Sequence, residues 1–158
     1  MQCAVIDIGS NSMRLTVYDA EKTVFKILFK EKIMAGLAGY VENGMLSHEG
    51  IECACQGLIE FKERLRLLNI QNVSVFATAS LRNISNTQEA LLQIYSATGF
   101  SLEVISGKDE AFYGYTGAML DLSLSDGIFV DIGGASTEIA SFAEGRLMES
   151  ESYPIGSL

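Results

Sequence analysis

Apolar positions along this chain switch between two periods, and the switches mark its elements. Residues 2–8 form a continuous apolar run, 12–19 alternate through Met13, Leu15 and Val17, and 23–31 carry Val24, Phe25, Ile27 and Phe29. Runs of this length and period predict three strands, with Asp19-Ala-Glu-Lys22 as the turn between the second and third. A loop with Gly36, Gly39 and Gly44 follows. Ser47 then opens a helix whose apolar positions Ile51, Ala54, Cys55, Leu58, Phe61, Leu65 and Leu68 keep helical spacing. Its other face (Glu60, Lys62, Glu63, Arg64, Arg66) reads as solvated. Asn72 to Thr78 is a short strand, and Asn86 with Glu89 resembles a capping box for a helix ending at Gly99. Leu102 to Ile105 is the next strand, and Ser106-Gly-Lys-Asp109 starts another helix in the same style. The order through Leu122 is β-β-β-α-β-α-β-α, which implies an α/β fold with a mixed, mainly parallel sheet and an antiparallel edge hairpin.

The pattern then begins again. Strands are predicted at 127–132, 136–143 and 146–153, with a Glu144-Gly145 turn. Residues 7–18 overlay residues 131–142 without a gap: Asp7 meets Asp131, Gly9 meets Gly133, Ser12 meets Ser136, Leu15 meets Ile139 and Tyr18 meets Phe142. An offset of 124 residues between Asp7 and Asp131 is too long for a solenoid repeat and points to a duplicated lobe. The domains expected are a first lobe over 1–124 and the incomplete start of a second over 125–158.

Composition narrows the classes. The chain has 158 residues, 48% of them apolar, and one proline, enough for an ordered core. Met1-Gln2-Cys3 leads straight into a strand-like run, so no signal peptide is expected, and no apolar stretch nears the roughly 18 residues of a membrane span. Cys3, Cys53 and Cys55 are odd in number, and reduced, buried, cytosolic thiols are the simpler reading. A single histidine, His48, excludes zinc sites built on two histidines. A net charge of −9 argues against a broad nucleic-acid surface and gives no long-range help to a polyanionic substrate.

Within this frame, Asp7 and Asp131 each end an apolar strand before a glycine. An aspartate there serves equally as a turn residue, but two copies in matched context point to function. Such a carboxylate can hold a divalent cation, often through water, or orient a nucleophilic water. The loops Gly9-Ser10-Asn11-Ser12 and Gly133-Gly134-Ala135-Ser136 offer backbone N–H groups and hydroxyls to phosphate oxygens. Neither is a Walker A loop or a Gly-x-Gly-x-x-Gly fingerprint. Arg82, just past the fourth strand, is placed to clamp a phosphate or simply to be solvated. Capping accounts for Asp109, and Glu110 is the candidate general base, although chemistry alone leaves that assignment open.

Five segments together resemble the exopolyphosphatase / guanosine pentaphosphate phosphatase family: Asp-Ile-Gly-Ser-Asn-Ser-x-Arg-Leu (7–15), Ala-Thr-Ala-Ser-Leu-Arg-Asn (77–83), Ile-Ser-Gly-Lys-Asp-Glu-Ala (105–111), Val-Asp-Ile-Gly-Gly-Ala-Ser-Thr-Glu-Ile (130–139) and Ser-Tyr-Pro-Ile-Gly-Ser-Leu (152–158). The resemblance implies the actin / sugar kinase / Hsp70-like fold: a ribonuclease H-like, actin-type ATPase lobe and its duplicate, with the active site in the cleft between complete lobes. It implies that Glu110 is the catalytic glutamate and Arg82 the substrate-channel arginine. Ser10, Asn11, Ser12 and Arg14 then match the first phosphate loop, Gly133, Gly134 and Ser136 the second, and Asp7, Asp131 and Glu138 the acids around Mg²⁺ or another divalent cation. Two residues depart from the family pattern: Phe112 stands where an arginine is frequent, and Ala135 where a glycine is. Family members also carry a complete second lobe, whereas this sequence stops before its helices.

The reading that follows is a cytoplasmic hydrolase releasing orthophosphate from inorganic polyphosphate or guanosine pentaphosphate. Its rivals are a sugar or acetate kinase of the same superfamily and a non-catalytic lobe that binds phosphate or a partner. No nucleic-acid or membrane partner is expected. The strands over 127–153 lack covering helices, and their apolar face and open edges predict a homodimer through this C-terminal part.

Overall fold

The computed structural model describes residues 1–21, 24–120, 122 and 124–158, so Lys22 of the expected first turn lies outside the described residues. The chain forms two compact units, Met1–Val104 and Ile105–Leu158.

In the first unit, β1 (Gln2–Ile8), β2 (Met13–Glu21) and β3 (Val24–Ile33) form an antiparallel meander. After a 3₁₀ turn at Leu37–Tyr40 come β4 (Val41–Glu42), β5 (Met45–Leu46), α1 (His48–Leu67), β6 (Val73–Ala77), α2 (Ala79–Arg82), α3 (Thr87–Thr98) and β7 (Glu103–Val104). The main sheet has the order β3-β2-β1-β6-β7, with β6 parallel to β1 and β7 parallel to β6. Only β2 runs against the rest, which is the mixed, mainly parallel sheet with an edge hairpin that the pattern predicts.

Alternation decides which face is buried. Ala4, Ile6 and Ile8 of β1 and Met13, Leu15 and Val17 of β2 share one core with Ile51, Ala54, Leu58, Phe61 and Leu65 of α1. Gly57 lets the helix press onto the sheet, since a Cβ there would lie 2.9 Å from the Met13 sulfur. Ser47 caps α1 as expected, its Oγ accepting from the Gly50 N–H at 3.2 Å. Gly99 ends α3 with φ 74°, the left-handed conformation that glycine adopts without strain.

Three details differ from the sequence reading. The glycine loop is not open chain: β4 and β5 pair through a turn at Asn43 and Gly44, with φ 51° and 76°. Strands of two residues are too short to leave a period. Asn86 forms no capping box. Its side chain instead accepts from the Leu46 N–H at 2.9 Å and donates to the Leu46 carbonyl at 3.0 Å, stitching β5 to the start of α3. Of the three free thiols only Cys55 is buried, while Cys3 and Cys53 are half-buried. Burial, with Glu52 adding, raises the Cys55 thiol above its ordinary value.

In the second unit, α4 (Gly107–Met119) precedes β8 (Gly127–Ile132), β9 (Thr137–Ala143) and β10 (Arg146–Tyr153). These strands form an antiparallel sheet of order β10-β9-β8. The β9–β10 turn is Glu144-Gly145, with φ 52° and 71°, as predicted. Tyr115 of α4 stacks obliquely on Phe142 of β9, ring centroids 5.2 Å apart. Gly107 and Gly114 allow contact with Ser152 and Phe129, which added Cβ atoms would approach to 2.4 and 2.9 Å. α4 packs on β8–β10 and belongs with them to the compact unit Ile105–Leu158, while element order alone draws the lobe boundary at 124/125.

Candidate functional site

The two copies of the Asp-x-Gly turn close in the same way. Gly9 N–H donates to the Ser12 carbonyl at 3.0 Å, and Gly133 N–H donates to the Ser136 carbonyl at 2.8 Å. A Cβ at Gly9 or Gly133 would sit 3.0 or 3.1 Å from that carbonyl oxygen, so any other residue would push the closure apart by a few tenths of an ångström. The flanking strands keep one register. Ile8 pairs with Met13 and Asp7 with Arg14, while Ile132 pairs with Thr137 and Asp131 with Glu138. Each pair repeats at the offset of 124 residues, so the duplication holds in backbone geometry as well as in residue type.

The loop carbonyls are tied back. Ser10 and Asn11 carbonyls accept from Ala38 N–H (2.9 Å) and Gly36 N–H (2.8 Å). Gly133 and Gly134 carbonyls accept from Ser157 N–H and Leu158 N–H, both at 3.0 Å. In a trans peptide the C=O and the next N–H point in opposite directions. The amides of Asn11 and Ser12, and of Gly134 and Ala135, therefore turn away from these tethers. Successive N–H groups left without an acceptor by a turn are the kind of backbone that can take an anion. Ser10, Ser12 and Ser136 are buried, and Asn11, Gly133 and Gly134 are half-buried.

Acidic groups stand beside each loop. Asp7 is half-buried, with Arg14 exposed directly across from it on β2. Asp131 is exposed, and Glu138, its cross-strand partner, is only 3% exposed and accepts from Ser152 Oγ at 2.7 Å. Directly paired antiparallel residues share a face, so Asp131 and Glu138 lie together. Among the described residues no group of three or more His, Cys, Asp or Glu forms a ready metal cage. One or two carboxylates do suit Mg²⁺, which keeps several waters and takes substrate phosphate oxygens as its other ligands.

Arg82 is half-buried at the end of α2, in the first unit. The buried Ser80 of the same turn donates to the Ile8 carbonyl at 2.7 Å, anchoring α2 to the end of β1 beside the first loop. Glu110 is half-buried in the first turn of α4, in the second unit, its N–H donating to the Ser106 carbonyl at 2.9 Å. Ser106 Oγ accepts from Asp109 N–H at 3.1 Å and donates to the Asp109 carboxylate at 2.6 Å. Asp109 is thus engaged in the cap, and Glu110 is the acid of this turn that the cap does not use. Phe112 is exposed and lies against the Tyr113 ring, centroids 5.8 Å apart.

Three supporting residues escape sequence reasoning. Ser80 and Ser152 bond across long sequence separations, and nothing local marks them. Gly156 packs against the peptide between Gly134 and Ala135, so closely that a Cβ would lie 2.1 Å from the Gly134 oxygen. Its only trace in the sequence is its place in the Pro-Ile-Gly-Ser-Leu segment.

Residues 16–158 match the Ppx/GppA phosphatase family. The guanosine-5′-triphosphate,3′-diphosphate pyrophosphatase of Aliivibrio fischeri (strain MJ11) is 37% identical over 142 residues, covering 86% of this chain and 28% of that protein. The crystal structure of the Aquifex aeolicus Ppx/GppA family member superposes with a TM-score of 0.84 at 32% identity, covering 99% of this chain and 52% of that one. An exopolyphosphatase from Cytophaga hutchinsonii gives a TM-score of 0.91 at 27% identity, over 99% of this chain and 51% of its own. The chain thus spans about half of each solved relative and under a third of the curated one. The overall fold is shared more widely: MreB5 of Spiroplasma citri superposes with a TM-score of 0.50 at 13% identity, over 98% of this chain and 52% of that one. With all but the first 15 residues matched, the chain belongs to the Ppx/GppA phosphatase family.

Proposed function

We propose that this chain carries the phosphate-binding and water-activating residues of a phosphoanhydride hydrolase. The reaction is release of orthophosphate from the end of inorganic polyphosphate or from the 5′ end of guanosine pentaphosphate. The observation that carries it is the pair of register-matched loops, each closed by the same glycine hydrogen bond and each with a carboxylate beside it. Relatives named as a guanosine pentaphosphate pyrophosphatase and an exopolyphosphatase support the same chemistry.

In this mechanism the amides and hydroxyls of Ser10, Asn11, Ser12, Gly134 and Ser136 hold phosphate oxygens, and Arg82 offsets their charge. Glu110 orients a water and takes its proton. The water oxygen bonds to the terminal phosphorus, the bridging P–O bond breaks, and its electron pair leaves with the shortened chain. Asp7 beside the first loop, and Asp131 with Glu138 beside the second, are the carboxylates suited to a divalent cation, which would neutralise phosphate charge when bound. The test is orthophosphate release by the intact protein from polyphosphate and from guanosine pentaphosphate with Mg²⁺ present. Release from either supports the reading. Release from neither overturns it, and ATP-dependent phosphorylation of an added sugar or acetate would replace it with the kinase.

The reading places the protein in the cytoplasm, in keeping with its free thiols. Among the described residues no helix is long and apolar enough to cross a membrane. It also includes a homodimer through β8–β10. Ile128, Val130 and Ile132 are 69%, 51% and 66% exposed, although their counterparts Ala4, Ile6 and Ile8 are fully covered by α1 and its neighbours. We expect this apolar face to be covered by a second copy, giving twice the monomer mass by light scattering at micromolar concentration. Val130→Lys, which puts a charge at the centre of the face, should return the monomer mass. A wild-type monomer would end the dimer proposal.

A further inference from the structure

The face of the first sheet that carries Asp7 continues outward as a patch of cations. Asp7 pairs with Arg14, Arg14 pairs with Lys32, and Thr16, two residues on, pairs with Lys30. Directly paired residues share a face, so Arg14, Lys30 and Lys32 stand on the side of Asp7. Glu31, between the two lysines, points the other way and meets Arg64 of α1 at 3.3 Å, as strand alternation requires. Strand spacing of about 4.8 Å puts Lys32 roughly 10 Å from Asp7 across the sheet, and Lys30 about 7 Å from Lys32 along β3.

Three properties of this patch call for an anion. Arg14, Lys30 and Lys32 are all exposed, and none makes an ion pair among the described residues. Arg14 and Lys32 are like charges directly opposite each other, an arrangement that destabilises a sheet. The chain has 11 basic residues against 20 acidic ones, yet three of the 11 gather here. A local positive field on an acidic protein draws in and orients a polyanion that the net charge would repel.

We propose that Lys30 and Lys32, with Arg14, form a track for the phosphate groups of the substrate that are not being cleaved. This rests on the hydrolase reading and extends it from the terminal phosphate to the rest of the chain. Lys30 and Lys32 are binding residues here and take no part in the bond-breaking step.

The experiment compares the intact wild type, the double variant Lys30→Gln/Lys32→Gln, and Glu31→Gln on the opposite face of the same strand. Turnover of long-chain polyphosphate and of guanosine pentaphosphate is followed at several salt concentrations. Binding of inorganic tripolyphosphate is measured separately by calorimetry. The double variant should raise KM for polyphosphate at least tenfold, with kcat within threefold of wild type. It should flatten the slope of log kcat/KM against log salt by about 1 to 2, one for each lost phosphate contact. Tripolyphosphate affinity should fall at least fivefold, and melting without ligand should not decrease, because repulsion has been removed. A KM rise confined to polyphosphate means the track takes an inorganic chain, and an equal rise on guanosine pentaphosphate means it takes the nucleotide's phosphates too. KM, salt slope and tripolyphosphate affinity all matching Glu31→Gln would overturn the track. A wild type that turns over neither substrate refutes the hydrolase reading instead, and the calorimetry still decides the track.

Discussion

Glu110→Gln should reduce orthophosphate release by about 10²- to 10⁴-fold, the usual contribution of a positioned general base. Glutamine keeps the shape and hydrogen-bonding reach of the carboxylate but cannot take a proton from water. The helix should survive, because α4 is capped by Ser106 and Asp109 and not by Glu110. Removing a negative charge from the first turn costs about 0.3–1 kcal/mol through the helix dipole, a small drop in melting temperature. Substrate binding should change far less than kcat, since the loops and Arg82 remain. Asp109→Asn gives the contrast. It weakens the cap, lowers stability by about 1 kcal/mol, and leaves most of the turnover. Steady-state kinetics with thermal melts separate the two. If Glu110→Gln keeps more than a tenth of wild-type kcat, another group activates the water. If Asp109→Asn is the more damaging change, the roles within this turn are reversed.

The difference between these neighbours was partly legible in the sequence, and the reason lies in how local each signal is. Ser47, Ser106, Gly99 and the Glu144-Gly145 turn act within a few residues of themselves, so their effect can be read from spacing, and the structure shows each as expected. Asn86 has the same local pattern but finds a stronger partner in Leu46, 40 residues away, which no spacing rule shows. The allegiance of α4 is similar. Ala111 and Tyr115 of α4 are buried, and nothing local to the helix says which sheet buries them.

The candidate site divides along the same line. The duplicated loops could be found because residue type, turn and strand period all repeat at one offset. The cation patch could not, since it depends on how β3 pairs with β2. The pairing shifts between Val17 and Tyr18, where Phe29 and Ile27 are the successive partners and Leu28 has none. A bulge of this kind reverses which residues face which way, and simple alternation carried through it assigns the wrong face to one side. Lys30 and Lys32 lie beyond the bulge, in register with Arg14, and only the observed pairing brings them to the face of Asp7.

The second large effect is expected at Gly156, which packs on the backbone of the second loop. In Gly156→Ala the new Cβ would lie 2.1 Å from the Gly134 oxygen, 2.3 Å from its carbonyl carbon and 2.5 Å from the Ala135 nitrogen. All three are backbone atoms, so no side chain can rotate away, and either the second loop or the segment after β10 must move. That segment is held by Ser157 N–H and Leu158 N–H on the Gly133 and Gly134 carbonyls, by Ser157 Oγ on Gly133, and by Thr137 Oγ1 on the Ile155 carbonyl. Moving it breaks bonds worth about 1 kcal/mol each and releases the carbonyls whose fixed direction aims the Gly134 and Ala135 amides. Preorganised amides matter most when phosphate charge develops, and losing one donor of this kind costs about 10²- to 10³-fold in kcat. Gly156→Ala should therefore lose about that much turnover, with Ser157 and Leu158 amides exchanging faster. Gly145→Ala separates clash from strain. Gly145 has φ 71° and open space around it, so alanine there strains the β9–β10 turn without touching the loop. It should lower stability by about 1 kcal/mol and spare kcat. Equal losses of kcat in the two variants would mean that the whole sheet, and not the aim of one loop, sets the rate.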